Sequence, residues 1–324
     1  MFSLAELEAA HDLVRAAVPA TASHRWPLLS ARLGSDVVVK HENHTPTGAF
    51  KVRGGLTYVD RLARGTRPPA GVISATRGNH GQSIAFAAGR LGVPATIVVP
   101  RGNSSEKNAA MRAFGAELVE DGTDFQAARV TAMRIAAERG LHMVPSFHRD
   151  LVLGVATYGL ELLGAHADID VLYVPIGLGS GICGCIMARD LLGRKTEIVG
   201  VQAERAPAYA LSFAAGRPIS TETSDTFADG MATRVPDEEA LALILAGAAR
   251  IVLVGEDEIA VAIRHYWTDT HNLAEGAGAA PLAAALKERE RNRGRKVGLV
   301  LSGGNIDLSL FRSVVWPEAT ADAA

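Results

Sequence analysis

One lysine stands where its amine could do chemistry. Lys51 lies in the segment from His41 to Gly55, directly after Phe50 and between Gly48 and Gly54. A lysine held in an apolar, glycine-flanked turn is poorly solvated, which lowers its pKa and makes the neutral amine available for imine formation. Position alone also fits a surface lysine at the start of a helix, because buried lysines are rare.

Polar side chains stand at two other predicted turns. Residues 74–82 lead into a predicted helix, where backbone N–H groups attract anions and the Asn79 amide can donate to a ring oxygen or a carboxylate. Ser302 ends a hydrophobic run before Gly303 and Gly304, and its hydroxyl can hydrogen-bond a heterocyclic nitrogen without charging it. Each segment alone is equally typical of a turn with a helix cap.

A glycine-rich segment, residues 177–184, follows the apolar run Val171 to Pro175 and opens a predicted helix. Glycines let several backbone amides point inward together, which forms a nest for a phosphate. The segment also contains G-x-G-x-x-G from Gly179 to Gly184, with Glu204 about 20 residues later, which is the spacing of a dinucleotide site. A nicotinamide-dependent dehydrogenase is therefore a rival hypothesis.

These segments follow predicted strands. Short β-branched runs recur between alanine-rich helical stretches, and strands that alternate with helices predict parallel βαβ units. Ligands of such sheets bind beyond the carboxyl ends of the strands, where the turns described above lie. The predicted strands are Val37–Lys40, Val72–Ser74, Ala95–Val99, Glu117–Glu120, Val171–Pro175, Glu197–Gln202, Ile251–Val254 and Val297–Ser302. An alanine-rich segment after residue 317 is expected to be frayed.

Taken together and in this order, the four segments resemble the fold-type II pyridoxal-phosphate enzymes, and within them the serine/threonine dehydratase and serine racemase branch. The joint match is more specific than any one segment and extends over most of the chain. The resemblance implies an α/β fold like that of tryptophan synthase β, with two open twisted domains whose sheets are mostly parallel. It implies a large cofactor-binding domain (1–45 and 146–324) and a small substrate-side domain (46–145).

The resemblance also implies roles for individual residues. Lys51 corresponds to the catalytic lysine that holds pyridoxal 5'-phosphate as a Schiff base and then acts as general base. The expected cofactor-binding residues are Phe50, Lys51, Asn79, Gly177, Leu178, Gly179, Ser180, Gly181 and Ser302. The expected substrate-binding residues are Thr76, Arg77, Gly78, Asn79 and His80. The implied reaction removes water and ammonia from a β-hydroxy-α-amino acid, such as threonine, serine or 3-hydroxyaspartate, and gives a 2-keto acid.

The chain departs from the family pattern at several positions. The phosphate turn of the family is normally four consecutive glycines, which Leu178 and Ser180 interrupt here. Arg77 stands where the racemases keep a reprotonating serine, which argues against a racemase. Arg77, with His44, His148 and Arg149, adds positive charge to the expected substrate side. This suggests a substrate with a second carboxylate, unless Arg77 turns to solvent or pairs with an acid such as Glu42. A dehydratase of hydroxyectoine breakdown is another similar enzyme.

No metal site is expected. Relatives that bind a divalent ion present acidic ligands where this chain has Gln202, Ala206 and Ala208, and such side chains cannot replace hard carboxylate oxygens, although Glu204 is near. The only two cysteines, Cys183 and Cys185, lack the further ligands of a zinc site and favour a reducing compartment.

Composition excludes several other classes. The net charge of -2, without a run of basic residues, predicts no nucleic-acid or anionic-membrane partner. No segment reaches the ~18 apolar residues needed to span a membrane, and the acidic N-terminal segment is not a signal peptide. A cytoplasmic enzyme for a small amino acid is expected, and the resemblance implies a homodimer.

Three alternatives to a dehydratase stay open at this point. A β-replacement synthase would share the cofactor and the fold, but such synthases usually carry threonine after the asparagine, where this chain has His80. The nicotinamide hypothesis explains the glycine-rich segment and leaves Lys51 and Asn79 without a role. A non-catalytic binding protein would have no need to retain Lys51 beside the residues that contact the ring.

Overall fold

The computed structural model describes residues 1–316, which form two β-sheets flanked by helices. The larger sheet contains β1 (Ser23–Arg25), β2 (Asp36–His41), β7 (Val171–Pro175), β8 (Glu197–Ala203), β9 (Ala248–Val254) and β10 (Lys296–Leu301). Its strands follow the order β1-β2-β10-β7-β8-β9. The edge strand β1 pairs antiparallel with β2, and the other neighbouring strands pair in parallel.

The smaller sheet is parallel. It contains β3 (Val72–Ala75), β4 (Ala95–Val99), β5 (Glu117–Glu120) and β6 (His142–Met143), in the order β5-β4-β3-β6. This sheet lies within residues 46–145, and the larger sheet is built from residues on either side of them. The domain limits at residues 45 and 146 stay a prediction, which this separation of the two sheets supports.

Helices connect and cover the strands. They are α1 (Leu4–Arg15), α2 (Pro27–Leu33), α3 (Lys51–Ala63), α4 (Asn79–Arg90), α5 (Ser105–Ala113), α6 (Phe125–Arg139), α7 (Arg149–Ala165), α8 (Ser180–Leu191), α9 (Ala208–Ala215), α10 (Glu238–Gly247), α11 (Glu256–Thr270), α12 (Gly276–Lys287), α13 (Arg289–Asn292) and α14 (Leu308–Val315). The segment after residue 317, expected to be frayed, lies outside the described residues.

The predicted α/β architecture with mostly parallel sheets is confirmed. The eight predicted strands coincide with β2 to β5 and β7 to β10. Most of them are buried on both faces and appear in the sequence as continuous apolar runs, whereas β5 and β9 are largely part-buried. In β10, Val297 and Leu299 pack toward α11 and α12, whereas Val300 packs toward α7 and α8. The predictions missed β1 and β6, which have three and two residues and show no period of their own.

Close packing of α3 against α7 fixes the helix that begins with Lys51. A Cβ atom on Gly154 of α7 would lie 2.2 Å from the carbonyl oxygen of Arg53, and one on Gly54 would lie 2.7 Å from that of Leu151. Glycines therefore let the two helix backbones touch. The amino terminus of α3 is thus held against the large domain, where the glycine-rich turn lies.

Candidate active site

Lys51 is the first residue of α3, and its amine lies inside the protein. Nζ donates a hydrogen bond to Oγ of Ser180 at 2.9 Å and lies 5.0 Å from the centre of the Phe50 ring. Burial lowers the pKa of Lys51 to about 8. A substantial fraction of the amine is therefore neutral near physiological pH, as the sequence predicts for a nucleophilic lysine.

The turn before Lys51 is tied to the turn that follows β10. The backbone N–H of Phe50 donates to the carbonyl of Ser302 at 3.0 Å, and that of Gly304 donates to Gly48 at 2.9 Å. The Thr45 hydroxyl bonds both the N–H and the carbonyl of Ala49. Two segments about 250 residues apart in sequence thus form one wall of the site, and Ser302 is buried in it.

Arg53, one turn into α3, anchors this helix in a buried ion cluster. Its guanidinium donates to both carboxylate oxygens of Glu42, at 2.8 and 3.0 Å, and to both oxygens of Glu161, at 2.9 Å each. Lys40 also pairs with Glu161. Two cations and two carboxylates compensate each other, which is the condition for burying charge at acceptable free-energy cost.

The glycine-rich turn lies opposite Lys51. Gly177 and Leu178 follow β7, and Gly179 adopts a φ of +101°, so that α8 begins at Ser180. A Cβ atom on Gly177 would lie 2.1 Å from the carbonyl oxygen of Gly230, so only glycine fits there. The first backbone amides of α8 lack partners within the helix and face the same turn, which makes it a site for an anion.

Asn79 is the first residue of α4, and its side-chain amide is held from both ends. Its Nδ2 donates to Oε1 of Glu275 at 2.8 Å, and its Oδ1 accepts from Nδ2 of Asn305 at 2.8 Å. Glu275 is buried directly before α12, and burial raises its pKa to about 7, opposed by the positive charge of Lys107. Glu275 and Lys107 were missed by the sequence analysis.

His80 lies beside Lys51. The two side chains line a small cavity together with Ser146 and Ser180. Burial and the charge of Lys51 lower the pKa of His80 to about 3, so its imidazole is neutral. Its Nε2 atom is buried without a hydrogen-bond partner among the described residues and is therefore available to a ligand.

Arg77 lies at the entrance between the two domains. It is the residue after Thr76, whose hydroxyl accepts from the N–H of Gly78 and so shapes the turn. The Arg77 side chain is 48% exposed, and its Nη1 lies 3.8 Å from Oδ1 of Asp229. Asp229 also binds Nζ of Lys107 at 2.9 Å. Arg77 thus reaches toward Asp229 of the large domain, as Asn79 of the same turn reaches Glu275.

The comparisons with known proteins identify the family. The protein-family model described as "Pyridoxal-phosphate dependent enzyme" matches residues 14–303 of this chain. This chain belongs to that family. It is 38% identical over 310 residues to the L-threonine ammonia-lyase of Geobacter sulfurreducens. This alignment covers 95% of this chain and 77% of the relative. It is 33% identical over 290 residues to the L-threo-3-hydroxyaspartate ammonia-lyase of Saccharomyces cerevisiae, which covers 89% and 88%.

A solved structure agrees with these relatives. The processed form of threonine deaminase isoform 2 from Solanum lycopersicum matches this pyridoxal-phosphate dependent enzyme with a TM-score of 0.88 and 30% identity, over 97% of this chain and 93% of that chain. The predicted family, fold class, lyase class and cofactor are confirmed. The nicotinamide alternative is wrong, since the family match includes the glycine-rich segment.

The residues of this family member fit pyridoxal phosphate. Lys51 supplies a buried amine, and the glycine-rich turn beside it supplies amides for a phosphate. The Phe50 ring borders Gly181, whose Cβ would lie 3.6 Å from Cζ of Phe50. The unpaired His80 nitrogen is an orphaned polar atom in the same cavity. The roles of the individual site residues remain predictions.

Other positively charged residues expected near the substrate have partners within the protein. Arg149 bonds the Met1 carbonyl and Glu6 of α1, and His148 caps the amino terminus of α7. His44 bonds Asn272 at 2.7 Å. These contacts engage all three side chains, and their part in substrate binding stays a prediction.

The ion-pair partner of Arg77 is Asp229 and not Glu42, the acid named in the sequence analysis. Glu42 is occupied by the buried guanidinium of Arg53, so it is not available to Arg77. Asp229 takes its place, because the short helical turn Asp229–Met231 faces the small domain.

The aligned cation position does not fit a divalent ion. The amide oxygen of Gln202 accepts from the N–H of Ala210 at 2.8 Å, and Glu204 binds Lys287 at 3.2 Å. Hard cations need several free oxygen ligands, and here one candidate oxygen is engaged and the nearest carboxylate is paired with a lysine.

Proposed function

We propose that this chain is a pyridoxal-phosphate dependent dehydratase of the ammonia-lyase type, which converts a β-hydroxy-α-amino acid into a 2-keto acid. The observation that carries this proposal is the buried amine of Lys51, which faces Ser180 at the start of α8 with its pKa lowered to about 8. The L-threonine ammonia-lyase relative at 38% identity supports the same reaction.

Each residue has a distinct task. Lys51 would hold the cofactor, and its neutral amine would accept the proton from Cα of the substrate. Ser180 holds this amine by a hydrogen bond, and the turn 177–181 binds the phosphate with its amides. The bound cofactor supplies the electron sink that stabilises negative charge at Cα. Ser302 would be a neutral partner for the ring nitrogen, which would suit elimination better than transamination.

The substrate turn binds the α-carboxylate. The first residues of α4, Asn79 and His80, place backbone N–H groups without intrahelical acceptors at this position, and helix amino termini attract anions. His80 remains neutral because of its burial, so its ring serves as a hydrogen-bonding group rather than as a charge. The small cavity lined by Lys51, His80 and Ser146 adjoins this position.

The test of this proposal is spectroscopic and chemical. The purified full-length protein should show a visible absorption band from the attached cofactor, and borohydride should fix the cofactor to the peptide that contains Lys51. Lys51→Ala should lose both properties and the formation of 2-keto acid from threonine or serine. A Lys51→Ala protein with an unchanged reducible adduct and unchanged turnover would contradict the proposal, as would bound nicotinamide dinucleotide.

Products distinguish the related reactions. The dehydratase should release ammonia and 2-keto acid at equal rates, whereas a racemase would form the D-amino acid and a β-replacement synthase would need an added thiol or sulfide. Arg77 stands where the racemases keep a serine, which favours the first outcome. Formation of D-serine faster than pyruvate would assign the chain to the racemases instead.

Arg77 favours a second substrate class, a hydroxy amino acid with an additional carboxylate. Its guanidinium contacts Asp229 only at 3.8 Å, and Asp229 is already bound more closely by Lys107. A substrate carboxylate could replace this weak contact by a bidentate pair. The yeast L-threo-3-hydroxyaspartate ammonia-lyase, 33% identical, supports this class.

Substrate comparison tests the role of Arg77. Arg77→Ser should lower kcat/KM for 3-hydroxyaspartate by about tenfold or more, the value of a lost charge-assisted hydrogen bond, and leave that for threonine within about threefold. Arg101→Ser is the control, since Arg101 pairs with Asp121 on the outer side of the small domain. A parent enzyme that prefers threonine and serine over both 3-hydroxyaspartate diastereomers ends the dicarboxylate hypothesis.

We also propose a homodimer in the cytoplasm. The dimer follows from the family resemblance, and the two reduced, buried cysteines support a reducing compartment. Within residues 1–316, no helix has the length and apolar character to cross a bilayer. Light scattering of the purified protein and fractionation of the source cells test these two points.

A further inference from the structure

Asn79, Glu275 and Asn305 form a hydrogen-bonded chain next to the cofactor position. Asn305 Nδ2 donates to the backbone carbonyl of Thr47 and to Oδ1 of Asn79, each at 2.8 Å. Asn79 Nδ2 donates to Oε1 of Glu275 at 2.8 Å. The chain therefore joins the lysine turn, the substrate turn of the small domain and the start of α12.

The two ends of this chain determine its direction. The carbonyl of Thr47 can only accept, so the NH2 group of Asn305 must face it, and the second N–H of that group then faces the oxygen of Asn79. At the other end the carboxyl of Glu275 accepts from the NH2 group of Asn79. Reversing the Asn79 amide would place oxygen against oxygen at Glu275 and nitrogen against nitrogen at Asn305.

We propose that Glu275 and Asn305 are positioning residues that lock the Asn79 amide with one N–H turned to the cofactor. The oxygen of Asn79 is engaged by Asn305, and one N–H by Glu275. The second N–H has no acceptor among the described residues, so Asn79 can offer only a donor to a bound group. This inference rests on the proposed function, in which Asn79 bonds the ring oxygen of pyridoxal phosphate.

The position of Glu275 supports a role beyond helix capping. Glu275 directly precedes α12, but its side chain accepts no capping hydrogen bond from that helix. Its backbone N–H donates to the carbonyl of Gly303, and a Cβ atom on Gly303 would lie 2.5 Å from Oε1 of Glu275. The glycine after Ser302 thus makes room for the carboxyl to reach Asn79, and a buried acid with an aimed side chain marks a functional position.

Two variants of Glu275 separate positioning from charge. Glu275→Gln keeps an oxygen that accepts from Asn79, so the full-length protein should bind pyridoxal phosphate within about threefold of the parent. Glu275→Leu removes the acceptor, and the dissociation constant should rise about tenfold, the usual value of one net hydrogen bond, with an altered visible band. If Gln weakens binding as much as Leu, charge rather than orientation matters and the proposal fails.

Asn305→Asp tests the other end of the chain. The new aspartate carboxylate would face the oxygens of Thr47 and Asn79 and repel them, so the Asn79 amide should reverse. The dissociation constant for pyridoxal phosphate should then rise by about tenfold or more. Asn43→Asp is the matched control, because Asn43 Nδ2 also donates to a backbone carbonyl, that of Leu273, and lies beside Gly304 without contacting Asn79. The control should bind within about twofold of the parent.

The readouts distinguish three outcomes. Melting temperature without cofactor checks that each variant folds, and cofactor titration followed by absorbance reports the effect on the site. Weaker binding by Glu275→Leu and Asn305→Asp, with Glu275→Gln and Asn43→Asp near the parent, supports the inference. The inference is overturned if Glu275→Leu and Asn305→Asp bind the cofactor like the parent, or if Asn43→Asp loses as much affinity as they do. A parent that attaches no cofactor at Lys51 fails the proposed function itself.

Discussion

At the scale of single residues, burial determines the reactivity of Lys51. The ordinary pKa of a lysine is 10.5, and burial lowers that of Lys51 to about 8. Among the described residues, no carboxylate lies within bonding distance of Nζ. The hydrogen-bond partner of Nζ is the neutral hydroxyl of Ser180. The amine is therefore desolvated without being neutralised by an ion pair, which is how a lysine becomes a nucleophile and a base.

We expect the rate at which the cofactor-free protein attaches pyridoxal phosphate to follow this pKa. The rate should rise by about tenfold per pH unit at low pH, where the neutral amine is scarce, and level off above about pH 8. Stopped-flow absorbance between pH 6 and 10 measures it, with an N-acetyl-lysine amide as the control for an exposed amine. A rate that keeps climbing to pH 10 would show that Lys51 is not desolvated.

Glu275 should give the protein a measurable dependence of stability on pH. Burial raises its pKa from 4.5 to about 7 against the charge of Lys107, with Asp229 adding to the rise. The contribution of this group is fully present below about pH 4.5 and is lost as pH rises through about 7, because unfolding then releases a proton. The melting temperature of the parent minus that of Glu275→Gln should fall from pH 5 to pH 8. Parallel curves would contradict the raised pKa.

At the scale of elements, the contact between α3 and α7 holds the helix that begins with Lys51 in place. Thr57 of α3 donates to the carbonyl of Asp150 at the start of α7, and the two helices meet at glycines on both sides. The close approach also explains why α3 contains two consecutive glycines, Gly54 and Gly55, although glycine is a poor helix former. Gly55 packs against Ser83 of α4, so α3 is packed between α4 and α7.

Gly154→Ala should separate these two helices. The added Cβ would lie 2.2 Å from the carbonyl oxygen of Arg53, so α7 must shift, and we expect a loss of about 1–3 kcal/mol in the free energy of unfolding. Gly164→Ala on the same helix meets no atom within 4 Å and should be neutral or stabilise by up to about 1 kcal/mol. Urea unfolding measures both, and equal effects would refute the packing argument.

At the scale of the whole molecule, residues of the segment 46–145 contact the rest of the chain around one cleft. Lys107 binds Asp229, Ser104 donates to Asp307, and the N–H of Leu308 donates to Glu106 at 2.9 Å. These contacts lie next to the cleft that Glu275 and Asn305 line. The hydrogen-bonded chain that positions Asn79 therefore depends on how the domains meet.

The buried ion cluster of Lys40, Arg53 and Glu161 joins β2, α3 and α7. Glu161 binds both Lys40 and Arg53, which are 1% and 0% exposed. Glu161→Gln leaves these cations with one carboxylate fewer, and we expect a loss of about 3–5 kcal/mol in the free energy of unfolding. Glu138→Gln, in an exposed pair with Arg134, should cost at most about 0.5 kcal/mol. Urea unfolding measures both variants. Similar losses in the free energy of unfolding would mean that the buried cluster contributes no more to stability than an exposed ion pair.

Local patterns were sufficient to predict the parallel sheets and the segments that carry the site. Continuous apolar runs mark strands that are covered on both faces, and Lys51, Asn79, the glycine-rich turn and Ser302 each stand at a turn after or between such elements. The short strands β1 and β6 could not be predicted, because two or three residues acquire strand geometry only through their neighbours.

The amino-acid sequence by itself determined the fold class and the order of the strands along the chain, because these depend on local periodicity and residue type. The motif resemblance also predicted Lys51 as the reactive lysine. Only the tertiary structure decided which groups meet: Glu275 and Asn305 reach Asn79 across 196 and 226 residues, and Arg77 meets Asp229 rather than Glu42. Such pairings depend on the packing of distant segments, and burial, which sets the pKa values of Lys51 and Glu275, exists only once those segments are packed.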